Sequence, residues 1–189
     1  MTESQKGKSA SNGKAEVLKI LTENLTAGAK VAKRLLWSCE RVAHLLPLDA
    51  KKVDLLTDEQ EESFDALLLR FNSLTAMVQD HITRGILTLE EEDVSKKSQR
   101  DRRVLMERLG ALKPELHFGT LAELRNRIAH FYPEESAKQA EILNEVHGRS
   151  KDLIEGYNEA LRYADQKFFG NKLDLHPIVV PSVPECGRT

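Results

Sequence analysis

Apolar residues recur along this chain at steps of three and four. Between Lys14 and Leu46 they fall at Leu18, Leu21, Leu25, Ala32, Leu35, Cys39, Val42 and Leu46. That is one stripe of a long amphipathic helix, which Pro47 ends. Thr57 and Gln60 have capping-box spacing and open a second helix, with its stripe at Phe64, Leu67, Phe71, Leu74, Val78 and Ile82. Gly85 is expected to weaken the far end of that helix. A third helix is predicted over Ser98–Leu109, stopping near Gly110. In the fourth, Leu121, Leu124, Ile128 and Phe131 form the stripe; Thr120 and Glu123 have capping-box spacing, and Pro114 offers an earlier start. A fifth begins after Pro133 and carries Ile142, Val146, Ile154, Tyr157, Leu161 and Phe168. The sequence therefore predicts one all-α domain over residues 14–169, an antiparallel bundle of about five helices.

The two ends read differently. "MTESQKGKSASNGK" has no apolar run and is expected to be a disordered leader over residues 1–13. From Gly170 the composition shifts to "NKLDLHPIVVPSVPECGRT", an irregular, Pro-containing tail over residues 170–189. With 40% hydrophobic and 31% charged residues the chain suits a folded, water-facing protein. No apolar run is long enough to span a bilayer. Cys39 and Cys186 lie far apart without metal-ligand spacing, so Cys39 is expected to be a buried structural thiol and Cys186 an exposed tail thiol. An intracellular, cytoplasmic protein is the expectation.

A net charge of −2 argues against a protein that coats nucleic acid, yet the charges are segregated. "EEED" at Glu90–Asp93 is followed by "KKSQRDRR" at Lys96–Arg103, then Arg108, Arg125 and Arg127. A run of this kind is either a solvated face or a local binding surface.

Gly-rich phosphate loops, H-E-x-x-H, Cys-x-x-Cys and G-x-S-x-G are all missing from the sequence. The six histidines are scattered. One of them keeps unusual company, in "LRNRIAHFYP" at Leu124–Pro133. Arg125 and His130 are five residues apart, about 140° around an α-helix, so one regular helical face cannot hold both. Pro133 disfavours the α conformation at Tyr132, which lets the chain turn His130 and Tyr132 toward a groove. A second copy of the chain, related by a two-fold axis, is another route to a compact site. These residue types suit phosphodiester cleavage. Histidine moves protons near neutral pH, and arginine stabilises charge growing on a phosphoryl oxygen. On RNA the 2′-hydroxyl supplies the nucleophile, so neither a metal nor a protein nucleophile is required. Asn126 is placed to hold the arginine or a phosphate, with Arg127 beside it. The Arg–x4–His–x–Tyr triple arises by chance at roughly 0.01 per chain of this composition, which is rare enough to weigh.

At this motif the chain resembles the HEPN superfamily of helical proteins, and within it the HepT-like toxins, whose mark is an Arg–x4–6–His with "RN" before and "H-x-Y" after. The resemblance extends over about Lys14 to Lys167, through "FDALLLRFNSL" at Phe64–Leu74 and "RRVLMERLGALKPEL" before the motif helix. It implies a homodimeric, metal-independent endoribonuclease with Arg125 and His130 as the catalytic pair in a cleft between protomers. It further implies a toxin whose partner is an MNT-type minimal nucleotidyltransferase antitoxin, able to transfer AMP to Tyr132. Lys96, Lys97, Arg100, Arg102 and Arg103 are then expected to contact RNA. Arg70 either joins them or pairs with an acid such as Asp65 or Glu123. Neither cofactor nor metal is expected. Two other readings stand beside this one: a catalytically inactive HEPN subunit that presents substrate to a nucleotidyltransferase, and a plain helical scaffold in which Arg125 and His130 only solvate a helix end.

Overall fold

The computed structural model describes residues 3–129 and 135–181, with side chains from residue 13 onward. All regular structure in these residues is helical. Helix α1 spans Glu3–Val42 and passes into a 3-10 turn at Ala43–Leu45. It therefore begins inside the segment read as a leader; once a helix is nucleated, each further residue adds at little cost. A single turn, α2 (Ala50–Val53), precedes α3 (Asp58–Ala76). Thr57 and Gln60 form the expected capping box at the start of α3. The next helix runs on through a π-helical turn at Met77–Ile82 into α4 (Thr83–Leu89). Gly85 does not weaken it, contrary to expectation. A β-carbon there would sit 3.1 Å from Leu21 Cδ1, so glycine lets α4 lie close against α1. Ser98 and Asp101 cap α5 (Gln99–Leu109), and Gly110 ends it in the left-handed region at φ 76°. After a 3-10 turn at Pro114–Leu116 come α6 (Phe118–Ala129) and α7 (Ser136–Ala164), the latter closing in a π-helical turn at Asp165–Phe169. The five expected helices are present, and the short α2 adds to them.

Cross-helix contacts fix the directions. Leu21 meets Gly85, Arg70 meets Ser38, and Arg41 pairs with Glu59, so α1 runs antiparallel to the α3–α4 helix. Tyr157 lies on Leu25 and Gly28, while Cys39 lies near His147, so α7 is antiparallel to α1 as well. Arg127 pairs with Glu141 and Thr120 with Arg149, which makes α6 antiparallel to α7. The stripes of α1, α3, α6 and α7 meet in one continuous apolar core. At its centre the buried Tyr157 hydroxyl donates to the Leu25 carbonyl at 2.8 Å. Gly28 makes room for that ring: a β-carbon there would stand 2.7 Å from Tyr157 Cε2.

Residues 171–181 form neither helix nor strand, yet they are tied down. The Leu173 amide donates to Asp165 Oδ1 at 3.0 Å. The Asn158 side chain clamps Ile178 twice, accepting from its amide at 2.8 Å and donating to its carbonyl at 2.9 Å. Leu173, Leu175, Ile178 and Val180 pack against the core, whereas Val179 points to solvent.

Candidate active site

The motif helix α6 begins earlier than its capping spacing suggested. His117 takes a left-handed conformation at φ 45°, which redirects the chain, and its carbonyl accepts from the Thr120 amide and hydroxyl, both at 2.8 Å. Thr120 therefore lies in the first turn, and Thr120–Glu123 is not the cap. Leu121, Leu124 and Ile128 are buried and fix the rotation of the helix. That rotation leaves Arg125 half-buried and Asn126 exposed. His130, Phe131, Tyr132 and Pro133 lie outside the described residues, so the described part of the motif ends at Ala129.

Arg125, Asn126 and Ala129 form one wall of a recess of about 370 Å³, and Asn72 and Ser73 of α3 form the other. Arg125 has neither a hydrogen bond nor an ion pair with any described side chain. Across the recess, Asn72 Oδ1 is buried without a hydrogen-bond partner. A buried amide oxygen left unpaired costs about 1–3 kcal/mol, so this wall of the recess favours a donor. Arg127 behaves oppositely. Its Nη1 meets Glu145 Oε2 at 2.6 Å and its Nη2 meets Glu141 Oε1 at 2.8 Å, both on α7. Each η nitrogen thus takes a different carboxylate, and the residue expected to support the site ties α6 to α7.

The basic segment divides in the same way. Lys96 and Arg100 are exposed and form no ion pair among the described residues. Lys97 stands 4.0 Å from Glu92, and Arg103 lies 3.7 Å from Glu107. The Arg103 guanidinium also covers Gly119, where a β-carbon would meet Nη1 at 2.6 Å, so α5 packs on the start of α6. Gly119 and Arg125 are separated by ~9 Å along the helix axis. Arg102 corrects an expectation. It is 8% exposed and turned inward with Nε and Nη1 unpaired, because it sits on the same face of α5 as the buried Leu105 and Met106. It does not offer a surface to RNA.

Arg70 is also elsewhere. It donates to the Ser38 hydroxyl and to the Arg34 carbonyl at 3.3 Å, filling a recess between α1 and α3 instead of facing α6. Neither acid considered from the sequence is its partner. Among the described residues, no group of three or more His, Cys, Asp and Glu side chains is placed to hold a metal ion. No described helix is long and apolar enough to cross a membrane.

Sequence patterns did not point to Asn72 and Ser73. They are ordinary polar residues beside the core stripe of α3, and only the α3–α6 pairing makes them neighbours of Arg125. No protein-family model, no curated protein and no solved structure matches the chain.

Proposed function

We propose that this chain is a metal-independent endoribonuclease of HEPN type, with Arg125 and His130 as its catalytic pair. The observation that carries this reading is the contrast between two arginines on one helix. Arg127 is held by two carboxylates, whereas Arg125 stands unpaired in a recess at the end of α6 that leads to His130. An unpaired guanidinium facing a recess is suited to a phosphate.

In the reaction, the RNA 2′-oxygen forms a bond to the adjacent phosphorus and the bond from phosphorus to the 5′-oxygen breaks. His130 takes the 2′-hydroxyl proton, and the imidazolium of a second copy of the chain protonates the leaving 5′-oxygen. The products are a 2′,3′-cyclic phosphate and a 5′-hydroxyl. Arg125 stabilises the negative charge gathering on the non-bridging oxygens. Asn126 positions the phosphate, with Lys96 and Arg100 drawing in the flanking strand. In this reading the protein is a toxin and a homodimer, and its partner is a minimal nucleotidyltransferase antitoxin. That enzyme moves AMP from ATP onto the Tyr132 oxygen with release of pyrophosphate, placing negative charge where the RNA phosphate must dock.

The test is cleavage of mixed RNA by purified protein in excess chelator, with product ends identified by mass spectrometry. Arg125→Ala is expected to lose ~10²–10³-fold in rate, and His130→Ala ~10²–10⁴-fold. Cleavage that survives both substitutions would assign the activity to a contaminant or another site. AMP on Tyr132 after co-expression with a nucleotidyltransferase, in a protein that never cleaves RNA, would favour the inactive-subunit alternative.

A further inference from the structure

A second concave surface lies between α1 and α7. Cys39 and Glu40 of α1 face His147, Gly148 and Lys151 of α7 across a mostly apolar recess of about 380 Å³, which Val180 and Pro181 of the C-terminal segment also line. Its polar groups are largely committed or suppressed. The His147 imidazole bonds the Cys39 carbonyl, and burial holds its pKa below the usual value. Burial pushes the Cys39 thiol up, against a hydrogen bond from Ser150. On the rims, Glu40 and Lys151 are exposed and form no ion pair among the described residues.

The C-terminal segment enters this groove in a definite direction. Ile178 is clamped by Asn158, and two residues on Val180 has reached the recess that Lys151 and His147 line. The segment therefore runs antiparallel to α7, toward the part of the groove that is still open. Its side chains alternate, with Ile178 and Val180 against the core and Val179 82% exposed. The same period of two gives Ser182, Pro184 and Cys186 the inward parity. Reach is ample: the eight residues after Pro181 can extend ~26 Å, and the stretch of α7 from Lys151 back to Asn144 is ~10 Å.

We propose that the segment Ser182–Thr189 continues along this groove and occupies it, bringing Cys186 toward Cys39. Glu185 and Arg188 then supply opposite charges for the unpaired Lys151 and Glu40 on the rims. The groove is a peptide seat, and the chain's own C-terminal segment is its occupant.

Amide hydrogen exchange on the full chain tests this. The amides of Val183 and of Glu185–Thr189 are expected to exchange at least tenfold more slowly than in the free peptide of the same sequence, equally at two protein concentrations tenfold apart. A β-carbon at Gly148 meets nothing within 4 Å, so Gly148→Phe puts a ring into the groove without a clash at its root. It is expected to return these amides to the free-peptide rate while circular dichroism and Tm are kept. Cys186→Asp, which sets a charge against the apolar floor, is expected to do the same without touching a helix. Mild copper–phenanthroline oxidation supplies a second readout. With two cysteines in the chain, an intramolecular disulfide can only join Cys39 and Cys186, and Gly148→Phe is expected to slow its formation. Free-peptide exchange in the unmodified protein overturns the proposal and leaves the groove to a ligand from outside. Protection that rises with protein concentration also overturns it, by giving the groove to a second copy. Protection unchanged in both variants places the segment somewhere else.

Discussion

Replacing Arg127 with alanine removes two ion pairs at 2.8 and 2.6 Å that join α6 to Glu141 and Glu145 of α7. The Arg127 side chain is 43% exposed, so each pair is a surface pair worth roughly 0.2–1 kcal/mol, and the two together about 1 kcal/mol. Unfolding entropy of ~2.1 cal/mol/K per residue over 189 residues is ~0.4 kcal/mol/K, so the expected loss in Tm is ~2–3 °C. Because the attraction is coulombic, the deficit is expected to shrink between about 0.1 and about 1 M salt, where the screening length falls from about 10 to about 3 Å. Arg125→Ala, two positions away, has no described partner to lose and is expected to shift Tm by less than about 1 °C, the ordinary range for a surface change. The RNA-cleavage result should invert: near-normal rate for Arg127→Ala, and a loss of ~10²–10³-fold for Arg125→Ala. Differential scanning calorimetry at the two salt concentrations, run beside the cleavage assay, measures both. Equal Tm losses for the two variants would refute the division of labour drawn from their contacts. So would a salt-independent deficit for Arg127→Ala.

Three further outcomes follow from the packing. Gly28→Ala drives a methyl to 2.7 Å from the buried Tyr157 ring and is expected to cost about 1–3 kcal/mol in urea unfolding, whereas Tyr157→Phe, which removes only the bond to the Leu25 carbonyl, is expected to cost about 1 kcal/mol. A smaller loss for Gly28→Ala than for Tyr157→Phe would mean that α1 and α7 are not in close contact there. Gly148→Ala has open space around the new methyl and is expected to stabilise α7 by about 0.5–1 kcal/mol, measured as a rise in the urea midpoint. His147 has its pKa lowered from 6.5 by burial, so its neutral form favours the fold above that value, and the contribution is lost as pH falls through the lower folded value. Urea midpoints taken from about pH 7.5 to about pH 5 should therefore fall more steeply for the unmodified protein than for His147→Gln; parallel profiles would place the imidazole in water.

The helices were legible because their physics is local. Period-3.6 stripes such as Phe64–Leu67–Phe71–Leu74, the Thr57 and Ser98 caps and the Gly110 stop depend on residues within a turn of one another, and all of them stand in the structure. Local rules misled where a glycine served a neighbour. Gly85 reads as a weak point in one helix and is the place where Leu21 of another comes close. The start of α6 went astray for a related reason, since the left-handed turn at His117 stood in for the expected side-chain cap.

What the sequence determined by itself is the set of helices, their apolar faces, and the rarity of Arg125–x4–His130–x–Tyr132. Which cation does what was decided only by tertiary structure. Arg102, Arg103, Arg125 and Arg127 are four arginines of the same residue type, on two helices of the same character. One is buried, one packs over Gly119, one is unpaired in a recess, and one is clamped by two glutamates. A side chain's pKa, pairing and exposure are set by groups brought near from distant parts of the chain, and no spacing along one helix encodes them. The same holds for Asn72 facing Arg125 and for the groove between Cys39 and His147, both of which exist only because antiparallel helices bring those residues level.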